Sequence, residues 1–156
     1  MDKKQAIISL YEFHEEKISD VYDDNEKVRS ALSYLFPNFE YPDFSHLQVS
    51  KALLRYFNSH RFQIPLGRCA ATMEAGHYIQ ENEINPAVWL DRHAMQDWGD
   101  MDDHDRIMNF MAVHIKYSPR LLSSYNMENN QKMWVITYFE NMDTERHTML
   151  MFPHEY

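Results

Sequence analysis

Glycine is scarce in this chain, with 3 in 156 residues. That excludes Gly-rich phosphate-cradling loops and argues against a turn-dense all-β fold. Cysteine is nearly absent: Cys69 stands alone, so neither an intrachain disulfide nor a Cys-based zinc site can form. In the apolar stretch Cys69-Ala70-Ala71 it reads as a small core residue. No apolar run is long enough to span a bilayer, and the N-terminus lacks an apolar signal core. The expected partners therefore include no membrane, and the expected location is the cytoplasm. Positive charge is also short. Lys and Arg number 15 against 24 Asp and Glu, for a formal net charge of −9. Binding to nucleic acid needs an excess of cations to displace phosphate counterions, so the balance argues against direct nucleic-acid binding. It suits solubility or a partner with a basic surface.

What is present can fill a core, with 44% hydrophobic and 14% aromatic residues. The first part reads as three helices. Ile7, Leu10, Tyr11, His14, Ile18 and Val21 fall on one helical stripe, and Val28, Ala31, Leu32, Leu35 and Phe36 on a second that Pro37 ends. Ser45 and Gln48 form a capping box before a third stripe of Val49, Ala52, Leu53, Tyr56 and Phe57, with Phe44 and Val49 able to form a hydrophobic staple. Pro65 and Gly67 then mark a boundary. The expected organisation is a helical extension over residues 1–63 and an α+β domain over 64–156.

In that second part Arg68–Ala71 reads as a short strand and Thr72 as the cap of a helix to about Asn82. Asn85-Pro86 starts another helix. Asp97-Trp98-Gly99-Asp100 breaks it, and Asp100 is placed to cap the next, with Asp102 and Asp103 against its positive dipole end. The period then shortens. Arg120–Tyr125, Lys132–Phe139 and Arg146–Phe152 are β-prone runs separated by polar turns over 127–131 and 140–145. The predicted fold is α+β: an N-terminal helical part, then helices packed on a three- or four-stranded antiparallel β-meander.

Residues of the second part occur in a recognisable order: Ala71-Thr72, Leu90, Arg92-His93, Asp97-Trp98-Gly99-Asp100, Asp105, Asn109, Arg120-Leu121-Leu122-Ser123, Tyr125, Trp134-Val135-Ile136-Thr137, Thr148, Pro153 and Glu155-Tyr156. Over about residues 66–156 this pattern resembles a small family carried on bacterial plasmids, prophages and integrative elements, whose members are usually labelled plasmid-related. The resemblance implies accessory cargo of a mobile element. The chain departs from the pattern where Met73-Glu74 replaces Pro-Gly, where Tyr138 replaces a Glu, and in a longer final turn. The residues before Gly67 look like an addition specific to this branch.

Two function classes follow. In the first, the chain is a non-catalytic interaction protein in a counter-defence role. Its acidic turn, with Asp97, Trp98, Asp100, Asp102 and Asp103, would meet a host protein with a basic surface. In the second, the chain is a small barnase/RelE-like RNase or toxin-type nuclease, in which His93, Arg92, Arg120 and Tyr125 supply acid–base and phosphate contacts. That reading needs a basic cleft around Arg92, Arg120 and Lys132. The acids from Asp97 to Asp105 do not follow the EF-hand pattern: counting from Asp100, Asp105 holds its glycine position and Met111 its closing glutamate. Helix capping explains them, and neither a metal nor another cofactor is expected. His14 and His114 fall on apolar stripes and read as satisfied boundary residues. Ser123 and Ser124 lack the strained turn of a serine nucleophile. The sequence specifies no oligomeric state.

Overall fold

A computed structural model describes residues 1–16, 22–38, 44–116, 118–141 and 145–156, with residues 22–25, 140 and 141 described by backbone only. The chain divides into two compact units, Met1–His60 and Arg61–Tyr156.

The first unit holds α1 (Lys3–Glu15), α2 (Tyr22–Leu35) and α3 (His46–Ser59). Asp2 with Gln5 and Ser45 with Gln48 close capping boxes at the starts of α1 and α3. Each satisfies orphan backbone donors that water would otherwise hold. Helix α1 packs against both α2 and α3. The stripes meet where the spacing predicts: Ile7 and Leu10, Ala31 and Leu32, Leu53 and Phe57 are all buried. His14 is half-buried and its Nδ1 lies 2.5 Å from the Ser50 hydroxyl. Ile18 and Val21 lie outside the described residues.

The second unit contains β1 (Arg68–Ala71), α4 (Met73–Glu81), α5 (Ala87–Ala94), α6 (Asp103–His114), β2 (Arg120–Asn126), β3 (Lys132–Asn141) and β4 (Glu145–Met151). The strands form one sheet in the order β1-β4-β3-β2. The expected antiparallel meander is present as β2-β3-β4. The sheet as a whole is mixed, because β1 pairs parallel to β4, with Cys69 opposite Thr148. Helices α4 to α6 and strands β2 and β3 lie between these two strands in the chain, the long crossover that parallel pairing requires. Gly67 admits this edge. Its φ is +68° and a Cβ there would lie 1.9 Å from the Arg146 carbonyl oxygen, so a side chain is barred by both backbone and contact. Cys69 is exposed on this edge strand instead of lying in the core, since an edge strand only four residues long leaves its side chains little to pack against.

One face of the sheet carries Tyr125, Met133, Val135 and Leu150, which pack with Ala75 of α4, Trp89 of α5 and Phe152. The opposite face carries Trp134, Ile136 and Tyr138 of β3 and Arg120 of β2. There the Tyr156 ring packs edge-on to Trp134, with the Arg120 guanidinium over it.

Candidate binding site

Helix α5 ends at Ala94, and Gln96 turns the chain with a left-handed φ of 63°. Gln96 is fully buried, donating to the Phe62 carbonyl at 2.8 Å and meeting His114 Nε2 at 3.1 Å. The turn that follows is fastened to the outer edge of β2. Ser124 N–H donates to the Trp98 carbonyl at 3.0 Å, and Asp100 N–H donates to the Ser124 carbonyl at 2.7 Å. Gly99 lies between these bonds with φ +75°, and a Cβ there would sit 2.2 Å from the Ser124 oxygen. Only glycine fits this approach.

Side chains lock the same turn. Asp97 accepts from Arg92 Nε at 2.7 Å and from Gly99 N–H at 3.2 Å, while its carbonyl accepts from the Tyr125 hydroxyl at 2.6 Å. Partial burial pushes the Asp97 carboxyl up, but the Arg92 and Gly99 hydrogen bonds outweigh it and hold the group below its ordinary range. The Arg92 guanidinium also lies 4.5 Å over the Tyr125 ring. Asp100 pairs with Lys132 at 3.0 Å, which holds its carboxyl low. Trp98 is 2% exposed, edge-on to His93 and Phe110. It supports the turn from beneath and does not reach the surface. Its indole N–H is buried without a partner among the described residues.

Asp102, not Asp100, caps α6, accepting from Asp105 N–H at 2.8 Å. The cap shifts by two residues because the backbone of Asp100 is already committed to β2. Asp102, Asp103 and Asp105 are exposed, and Arg120 lies close enough to act on the Asp105 carboxyl. Partial burial and then the neighbouring Asp102 push the Asp105 carboxyl up. The turn thus neutralises Asp97 and Asp100 internally and presents three carboxylates outward.

Of the four residues of the nuclease reading, Arg92 and Tyr125 meet, but the four do not line one open cleft. His93 is fully buried: Nδ1 is 2.6 Å from Ser123 Oγ, and Nε2 is 2.8 Å from Thr137 Oγ1. Thr137 continues to Thr148 Oγ1 at 2.8 Å, and Thr148 donates to the Leu66 carbonyl at 2.7 Å. A carbonyl only accepts, so the chain of donors runs one way, His93 to Thr137 to Thr148 to Leu66. His93 therefore carries a proton on Nε2, and burial disfavours a second one on Nδ1, which leaves Nδ1 to accept from Ser123. Burial pushes its pKa down to about 3, in agreement. Tyr125 is 1% exposed, and burial pushes its hydroxyl up. Arg92 is committed to Asp97, Lys132 to Asp100, and Arg120 lies on the opposite face of the sheet from His93.

The buried seam from Ser123 to Leu66, and the paired side-chain bonds of Asn109 to the Leu122 backbone at 2.7 and 3.1 Å, were not legible as interactions. Apart from Leu66, their residues appear in the resemblance pattern, but nothing in their spacing pairs them. Compared with known protein families, curated proteins and solved structures, the chain finds no match.

Proposed function

We propose that this chain acts by binding, without catalysis, and that its partner is a protein with a basic surface. The observation that supports this is the rigid outward display of Asp102, Asp103 and Asp105 from a turn fastened to β2. Carboxylates held in place bind a cationic surface without first losing side-chain and loop freedom. The burial of His93 argues in the same direction, because a general base must reach the proton that it removes. Taken with the resemblance to plasmid- and prophage-borne proteins, the reading extends to an accessory protein of a mobile element. In that setting it would occupy the basic groove of a host nucleic-acid-binding defence enzyme.

The test begins with affinity capture of the tagged protein from its host, identifying protein and nucleic acid separately. A captured basic protein should bind more weakly as salt rises. The combined Asp102→Asn, Asp103→Asn and Asp105→Asn variant keeps an Asn cap on α6 while removing three charges. It should bind at least about tenfold more weakly. RNA cleavage at low salt by the parent, lost in His93→Ala, would replace this reading with the nuclease one.

A further inference from the structure

A cleft of about 350 Å³ opens at the other end of β2 from the acidic turn. Its volume falls in the range of small-molecule sites. Phe62, Ile64, Val113 and Phe139 supply apolar wall, and Lys116 and Arg146 supply charge. The wall is tied at every side. Ile64 N–H donates to the Ala94 carbonyl at 2.8 Å, Gln96 holds the Phe62 carbonyl, and Phe139 N–H donates to the Pro119 carbonyl at 3.0 Å. Arg146 donates to the Pro65 carbonyl at 3.1 Å, and its guanidinium lies 4.8 Å over the Phe139 ring. The cavity is therefore formed before any ligand arrives.

Its electrostatics run against the rest of the chain. Acids outnumber bases 24 to 15 overall, yet the described lining has two cations and no carboxylate. The C-terminal end of α6 brings partial negative charge to the cleft, and Lys116, just beyond that end, offsets it. Arg146 keeps a fork of N–H donors beyond the one given to Pro65, next to an aromatic floor. We infer that this cleft binds a small amphipathic anion, with its apolar body against Phe62, Val113 and Phe139 and its anionic head on Arg146. The site is independent of the acidic turn, so either can fail without the other.

Octanoate is the probe, with octanol and octylammonium as controls, measured by calorimetry on the full chain. Octanoate should bind with one-to-one stoichiometry, about tenfold or more tighter than octanol, with octylammonium weakest. Arg146→Gln should remove that tenfold preference and leave octanol binding unchanged. Val113→Trp should block both ligands; Phe62→Asp, at the half-exposed lip, is a second blocking variant should the first unfold. Equal affinity for octanoate and octanol would overturn the inference. So would octanoate binding that survives Arg146→Gln with its preference intact, or the absence of saturable octanoate binding.

Discussion

The two units solve the problem of holding secondary structure together by different means. Among the described residues, the buried polar side chains between Met1 and His60 are Ser9 and Ser50; between Arg61 and Tyr156 they are His93, Gln96, Asn109, Ser123, Ser124, Thr137 and Thr148. Helices in the first unit need only present an apolar stripe, and helix contacts tolerate small slides along a ridge. Strands do not tolerate a slide, because a one-residue slip turns every side chain to the wrong face. The second unit spends its buried polar groups on this. Thr137 opposite Thr148, His93 between Ser123 and Thr137, and Asn109 on Leu122 each have partners only in the observed register. Apolar pattern selects the faces of the sheet, and the polar seam selects which residues stand opposite one another.

All three tryptophans, Trp89, Trp98 and Trp134, lie in the second unit. Trp emission therefore reads that unit alone, while far-ultraviolet dichroism is weighted to the helices of both. The largest expected effect is at Gly99. Gly99→Val adds left-handed strain for a branched residue and drives a side chain into the Ser124 carbonyl. It should cost roughly 4 kcal/mol, read as a loss of Trp-monitored stability. Unchanged stability would mean that the turn is not fastened to β2.

Trp98→Ala should come next, at about 3 kcal/mol or more, because it empties a buried aromatic site beside His93 and Phe110. His93→Gln should cost about 2 kcal/mol by breaking the seam, and it sharpens the comparison through pH. His93 stays neutral in the folded state down to about pH 3, whereas an unfolded imidazole protonates near 6.5. Between those values the unfolded state holds the extra proton, so stability should be full above about 6.5 and fall as pH drops toward 3. The difference between parent and His93→Gln should show this slope most cleanly between about pH 5 and 6.5, above the carboxylate range. A flat difference would mean that the imidazole is charged or solvated. The smallest effect is in the helical unit. Ser45→Ala removes one cap, should cost about 1 kcal/mol of helix stability, and should leave the Trp emission maximum in place.

The same contrast explains what the sequence made legible. Helix stripes, the Ser45 and Thr72 caps and the β-prone run of β3 are local patterns, readable within a few residues, and the structure has them. The parallel pairing of Arg68 with His147 joins positions far apart in the chain, and four residues of β1 have no pattern long enough to announce a partner. Cys69 was misplaced for that reason. At the candidate site, Asp97, Asp100, Asp102 and Asp103 were visible as an acidic turn. Which of them are spent internally was not, because Arg92 and Lys132 could be assigned to them only in three dimensions. The nuclease reading gives His93 an acid–base role; in the structure its imidazole turns inward, and the Asp97 carboxylate turns to Arg92.

The sheet has two unlike borders, and this bears on how copies of the chain could associate. Along β2 the backbone is already engaged by Gly99, Asp100 and the Asn109 amide. Along β1 no described strand pairs with the outer edge. Fibre growth by strand addition requires every molecule to offer a donor border and an acceptor border, so that each new copy leaves a fresh end. A molecule with one occupied border cannot propagate in that way. Two copies joined at β1 about a two-fold axis would leave no border open, and assembly through the sheet would end at the pair.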